Sequence, residues 1–459
     1  MSISFHARQT IDHMVGGPIA WLLNMCARML GAILGRDHSL QSPPRRVLVM
    51  KFVGLGSIVR ASFLLRELRE RYPDAHIIFL TFPGCVQLVK MFDEVDEVKV
   101  IRDGSLFSLT WDVAEFVLYC IGYPIDLVID LEVHSKFSSI MTALSRGRDR
   151  AGFAGVTSRF RRGLYTHLVF WNPTEYVDRA YQQLGRSLGL DGATQPLQPR
   201  LTVKDEAECF AWMQAQGISP KATMIGINPN ASDMKEERRW PEPYIIDLIR
   251  ALPAERGIVV VLVGSKAERE RAERIRAACA GSSVTVCVSA GALSIAAFCV
   301  LLQQLKVFIT NDSGPLHLAR LFDTPTISLW GPTNPEQYNP RAGSKSIELY
   351  EPIYCSPCTH FSDEAPCGGN NQCLKRISWQ RVYQSVAELA AFHVPASVSA
   401  HRGPGYLFDP SLVHGYWHRE TVPLPRIRPA LVQVGEFSGR NGHPYQTDKA
   451  KRAVGDERD

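Results

Sequence analysis

The chain has 459 residues, too many for one hydrophobic core, so two domains with flanking segments are expected. With 45% hydrophobic and 21% charged residues it has an ordinary globular composition. A net charge of +5 is too small for a dedicated nucleic-acid binder but compatible with anionic lipids or substrates. No short-period repeat is present, which excludes a solenoid. Eleven cysteines occur without a secretory signal, and Cys120, Cys279, Cys287 and Cys299 lie in apolar segments. They read as reduced, buried thiols of a cytoplasmic protein.

In chain order, residues 1–45 stand apart. Met14 to Leu34 is mostly apolar but is interrupted by Asn24 and Arg28. That is nearly the length of a membrane span with a charge inside, so a helix lying in the bilayer interface, anchored by Trp21, is the expectation. The alternative is a helix packed on the protein's own surface. From Arg46 a regular alternation begins. Strands are expected at 47–52, 77–82, 97–101, 127–131 and 150–154, with helices at 58–71, around 111–121 and at 136–146. Such alternation implies a parallel sheet with right-handed crossovers. A polar stretch near 189–199 reads as a linker. The alternation resumes with strands at 224–228, 258–263, 284–288, 306–309 and 322–330, and helices at 241–252, 266–280 and 293–304. The expected organisation is an N-terminal domain at 46–190, a linker at 191–222, a C-terminal domain at 223–395 and a disordered tail at 396–459. The fold class is α/β: two Rossmann-like, doubly wound domains facing a central cleft at the carboxyl ends of their strands.

Three loops carry chemistry. The first holds Gly54, Gly56 and Ser57 between a strand and a helix, a tight turn that lets backbone approach a ligand. It lacks the third glycine of the dinucleotide fingerprint, which argues against a nicotinamide cofactor. The second holds Asn230 and Ser232, followed by Arg238-Arg239-Trp240-Pro241. Small polar residues after a strand can bind phosphate, and an arginine can neutralise a departing diphosphate. The third is Asn311-Asp312-Ser313-Gly314-Pro315-Leu316-His317, a helix start that exposes free N–H groups. His317 lies one turn after Ser313 on the same helix face. Taken singly, Asp312 would be an N-cap, His317 a core histidine and Arg238 a solvated charge.

Together the Gly-Leu-Gly loop at 54–56, Arg-Arg-Trp-Pro at 238–241, Asn311 to His317 and Gly-Pro-Thr at 331–333 resemble glycosyltransferase family 9, the bacterial heptosyltransferases, over roughly residues 46–390. The resemblance implies a GT-B architecture and an inverting, metal-independent transfer from a nucleoside diphosphate sugar, typically ADP-heptose. The implied acceptor is lipopolysaccharide or another lipid-linked glycan at the inner face of an anionic membrane. It implies that Asp312 holds donor-sugar hydroxyls, that Ser313, Gly314 and His317 lie along the diphosphate, and that Ser232 and Arg238 match the family's phosphate-binding Thr and Lys. No nucleic acid and no required cofactor are implied.

One departure matters. The family's proposed general base is an Asp in the first loop, where this chain has Ser57. A neutral hydroxyl cannot take the acceptor's proton unaided. Asp130, Glu132 and His134 follow the 127–131 strand and are the candidate replacements. Alternation sets the two carboxylates on one side, and Glu132 is preferred as lying further out. His134 is the second candidate, for its ordinary pKa. A support role in the loops is the alternative for both carboxylates. Late in the chain, Cys355, Cys358, Cys367 and Cys373 are candidate ligands of a structural zinc. Only the first gap suits a metal knuckle, and clustered free thiols are the alternative. The competing functions are a sugar-nucleotide-binding homologue that has lost its base and a GT-B sugar-nucleotide epimerase.

Overall fold

The structure, a computed structural model, describes residues 12, 14, 16–35, 38–40, 42–155, 158–193, 195–231, 236–253, 257–339, 345–360, 365–392 and 394. All fall within one compact unit, Met1–Gly403. The expected tail at 396–459 lies outside the described residues.

Helix α1 (Gly16–Leu34) precedes the first sheet. That sheet is formed by β1 (Arg46–Met50), β2 (His76–Thr81), β3 (Glu97–Val100), β4 (Leu127–Asp130), β5 (Asp149–Ala154) and β6 (His167–Phe170). Its spatial order is 3-2-1-4-5-6, and every pairing is parallel. The crossovers carry α2 (Leu55–Ala61), α3 (Phe63–Arg71), α4 (Val86–Val89), α5 (Leu106–Gly122) and α6 (Lys136–Leu144), and α7 (Val177–Ser187) follows β6. The single helix expected at 58–71 is two, broken at Ser62, whose hydroxyl donates to the Val59 carbonyl at 2.7 Å. Such back-bonding competes with the helical ladder.

The second sheet comprises β7 (Thr223–Asn228), β8 (Ile258–Leu262), β9 (Thr285–Val288), β10 (Val307–Asn311), β11 (Thr326–Trp330) and β12 (Ser346–Tyr350). Its order is 12-11-10-7-8-9, again all parallel. The helices are α9 (Glu242–Ala251), α10 (Arg269–Ala278), α11 (Ile295–Gln304), α12 (Gly314–Leu321), α13 (Pro335–Tyr338), α14 (Gln372–Lys375) and α15 (Trp379–Ala390). Between the sheets, α8 (Val203–Ala215) packs on α11, so the stretch read as linker carries an ordered helix. Helices on both faces explain why the central strands are continuous apolar runs, such as the fully buried Ile-Val-Val-Val-Leu of β8.

Strand order reverses between β1 and β4 in one sheet and between β7 and β10 in the other. Those are the crevices where open α/β sheets bind ligands. The loops after these four strands are the ones singled out from sequence.

Helix α1 lies on α6 and on the turn at 159–161. Ala20 and Asn24 are buried, and the Asn24 side-chain amide donates to the Phe160 carbonyl. Arg28 Nη2 donates to the Arg162 carbonyl at 2.6 Å, while Trp21 stays exposed. One face of α1 therefore packs on the protein, and the other is free. Among the described residues no helix is long and apolar enough to cross a membrane.

Candidate functional site

The crevice expected to take the donor is built by the adjacent ends of β7 and β10, in register with Thr310 opposite Asn228. The Asn228 amide donates to Thr310 Oγ1 at 3.2 Å and to Ser313 Oγ at 3.0 Å. The Asn311 amide donates to the carbonyls of Asn228 at 3.3 Å and Asn230 at 3.1 Å, and its Oδ1 accepts from the Trp240 N–H at 3.1 Å. The Trp240 indole is anchored by the Ile377 carbonyl at 2.8 Å. The motif asparagines thus lock the 228–230 loop, the Arg-Arg-Trp-Pro segment and the start of α12 into one frame.

On this frame Arg238 and Asp312 meet at 3.5 Å, with Asp312 buried. Ser313 is the N-cap residue of α12, but its hydroxyl caps no N–H of the helix; it faces Asn228 and Thr310 instead. Several buried polar atoms here have no partner: Asn230 Nδ2, Arg238 Nε, His317 Nδ1, Thr333 Oγ1 and both amide atoms of Gln337. Orphaned buried polar groups are rare and point to a missing ligand or water. Gln337, on α13, had no signal in the sequence beyond following Gly-Pro-Thr. Ser232 lies outside the described residues.

The two halves touch where α2 faces α12. A side chain on Gly56 would place its Cβ 2.3 Å from His317 Cδ2, and Gly314 lies against Leu55. Gly54 has φ of 92°, the left-handed region that needs glycine. Arg60 of α2 spans the junction. It donates from Nε to Asp178 Oδ1 at 2.7 Å and from Nη1 to the Tyr338 carbonyl, and its guanidinium lies over the Tyr176 ring at 4.6 Å. Burial, reinforced by Arg60 and Arg320, holds the His317 imidazole well below its ordinary pKa, so it is neutral. Burial, with Asp312 nearby, pushes the Tyr338 phenol up to about 12. Neither Gln337 nor Arg60 was among the residues expected from sequence.

The acceptor side differs from expectation. Asp130 and Glu132 do not share a free face. Glu132 is buried; its Oε2 accepts from Lys51 Nζ at 2.8 Å, and its Oε1 accepts from the N–H groups of Phe52 at 2.9 Å and Val53 at 3.3 Å. Burial alone would raise this carboxyl, but Lys51 and the two amides outweigh it and hold the pKa below the ordinary range. Asp130 turns the other way, accepts from Ser138 Oγ at 2.7 Å and from the Tyr165 hydroxyl, and is ion-paired with Arg161 Nη2 at 3.1 Å. Asp130 and Arg161 are wholly buried. The strand ends at Asp130, so period-two alternation does not reach Glu132. Both carboxylates are hydrogen-bonded within the loops, and the shared free face on which the preference for Glu132 rested is not formed. His134, two residues on, is exposed. Ser57 lies beside the buried Tyr181 hydroxyl.

The late cysteines are the candidate zinc ligands. All four late cysteines are free thiols, and among the described residues no three His, Cys, Asp or Glu side chains form a group that could hold a metal ion. A Cβ on Gly331 would meet Cys373 Sγ at 2.8 Å, so this thiol packs against the end of β11. Burial pushes it up to about 11, with Cys358, Cys355 and Cys367 close enough to add to the rise.

Comparison with known proteins agrees with this frame. The model of glycosyltransferase family 9 (heptosyltransferase) matches residues 122–367. The lipopolysaccharide heptosyltransferase 2 of Salmonella typhimurium is 26% identical over 300 residues, covering 63% of this chain and 84% of that protein. The lipooligosaccharide heptosyltransferase 2 of Haemophilus influenzae is 32% identical over 312 residues, covering 65% of this chain and 86% of that one. The solved structure of the E. coli ADP-heptose LPS heptosyltransferase II superposes with a TM-score of 0.60 at 22% identity, covering 75% of this chain and 98% of that one. Two doubly wound sheets meeting at their switch points are the GT-B architecture, and the chain belongs to glycosyltransferase family 9.

Proposed function

We propose that this glycosyltransferase moves a heptose-like sugar, with inversion, from a nucleoside diphosphate donor to a lipopolysaccharide or other lipid-linked acceptor. ADP-heptose is the proposed donor, as the names of the relatives suggest. The observation that carries the donor half is the cluster of unpartnered buried polar atoms around Arg238, Asn230 and His317 at the β7/β10 switch point. In this reading Asp312 accepts from donor-sugar hydroxyls. Arg238, Ser313 and the first N–H groups of α12 (the backbone of Gly314 among them) take the charge of the leaving diphosphate. Those groups supply the electrostatic stabilisation without a metal.

The acceptor oxygen forms its bond to the anomeric carbon as the bond to the diphosphate breaks, and the hydroxyl proton passes to a base. His134 is the proposed base. It is the exposed member of the three strand-end candidates, and an imidazole is the side chain suited to proton transfer near neutrality. Asp130 and Glu132 are proposed to position the loop that carries it. Attachment at the inner membrane surface belongs to the same reading.

A thermal-shift screen against ADP-, UDP-, GDP- and CDP-sugars tests the donor, and stabilisation by ADP-heptose alone is expected. Release of nucleoside diphosphate upon adding an acceptor extract tests transfer. Donor binding without such release would favour a homologue that has lost its base. His134→Gln is expected to lower turnover about a hundredfold with donor binding intact. Full turnover in that variant would return the role of base to another group.

A further inference from the structure

We infer that α5 and α1 together form a lipid-docking face, seated on an anionic phospholipid leaflet, with α5 contributing as much as the N-terminal helix. Helix α5 is a crossover helix and should turn its apolar side inward. It does so with Phe116 and Cys120, but it carries a second apolar stripe outward. Phe107, Trp111, Leu118 and Ile121 are between 54% and 78% exposed, and they recur at helical spacing along one line. The Phe107 and Trp111 rings stack with centroids 6.4 Å apart.

Helix α1 shows the same inversion. Its small residues Ala20 and Asn24 face the protein, while Leu22, Met29 and Ile33 point to solvent at 52–77% exposure. Both helices pack on α6, so the two outward stripes flank one helix on one side of the first sheet. Between α5 and α6 runs an open groove of about 560 Å³, lined by Leu109, Val113, Val117, Phe137 and Leu144, with Thr110 its one polar residue. Exposed apolar area of this extent marks an interaction surface.

The charges choose the occupant. Arg28 is the only charged residue of α1, and Arg28, Arg102 and Arg162 are exposed at the rim. The acids of α5 are Asp112, buried against Arg102 at 2.6 Å, and Glu115, which is exposed. A basic rim around an apolar face with two half-exposed tryptophans suits an anionic interface. A second copy of the chain would set the same arginines against one another. The face also adjoins the acceptor side of the cleft. Asp12 caps the start of α6, accepting from the Lys136 N–H at 3.1 Å and the Phe137 N–H at 2.7 Å, just after His134. A lipid-linked acceptor held in the leaflet would meet the protein beside the strand ends of the first sheet.

The inference rests on the transferase reading only for the nature of the acceptor, because docking is measured without donor or acceptor. The full chain is sedimented with vesicles of phosphatidylglycerol and phosphatidylethanolamine, and with phosphatidylcholine vesicles as a control. Wild type is expected to bind the anionic vesicles. The triple variant Phe107→Ser, Trp111→Ser, Leu118→Ser is expected to lose about tenfold in binding, with an unchanged melting temperature and an unchanged thermal shift with donor. Leu22→Ser, Met29→Ser, Ile33→Ser is expected to do the same. The inference is overturned if the α5 variant binds like wild type. It is overturned equally if the wild type leaves vesicles free and forms a concentration-dependent dimer that the α5 substitutions abolish.

Discussion

The two sheets end in opposite ways. At the β1/β4 switch point the charges are closed upon one another. Lys51 and Glu132 meet at 2.8 Å with both side chains nearly inaccessible, and Asp130 is enclosed by Arg161, Tyr165 and Ser138. At the β7/β10 switch point Arg238 and Asp312 stand 3.5 Å apart, among buried atoms that lack partners. The same topology thus serves two purposes. In the proposed reading the first sheet uses its charged residues to hold loops in place, and the second offers them to the donor. A buried, satisfied pair is evidence of support, whereas a loose pair among orphans is evidence of binding.

The largest expected effect breaks the closed side. Arg161→Met leaves Asp130 buried without its cation and should cost about 3–5 kcal/mol of stability, read as a lower urea midpoint. A shift below about 1 kcal/mol would mean that Tyr165 and Ser138 suffice to hold Asp130. The next effect breaks the open side. Asp312→Asn should lower donor turnover about a hundredfold while changing stability by about 1 kcal/mol or less. If stability falls as far as in the Arg161 variant, the contrast between the halves disappears.

The smallest effect lies at their junction. His317 has a folded-state pKa depressed below its unfolded value of about 6.5. Below about pH 6.5 the unfolded chain therefore binds the proton first. Stability should be level above that pH and should decline as pH falls below it, by up to about 1.4 kcal/mol per pH unit. Urea midpoints at descending pH measure this slope, and His317→Asn should flatten it. An unchanged slope in the variant would assign the acid sensitivity to other groups.

Much of the frame could be read from the chain. Strands covered on both faces are continuous apolar runs, so β1, β4, β7, β8 and β10 announce themselves, and the loops after four of them hold the motif residues. What could not be read depends on register and distance. Lys51 and Glu132 are 81 positions apart and meet only because Met50 pairs with Asp130 across β1 and β4. Arg161 comes from a short turn before β6, a strand that the sequence did not suggest. Both facts give the acids of the first sheet buried partners, which is why they are proposed as positioning groups. The helix inside the expected linker was hidden by the polar composition of its flanks. The inward face of α1 was hidden because small residues give a weak periodic signal.

The contact between Gly56 and His317 sets a floor on how far the two sheets can approach. An atom that the chain does not have fixes the distance of closest approach. With any larger residue at position 56 the His317 imidazole or the facing helices would have to shift. The close approach of α2 and α12 therefore depends on a residue whose side chain is a single hydrogen.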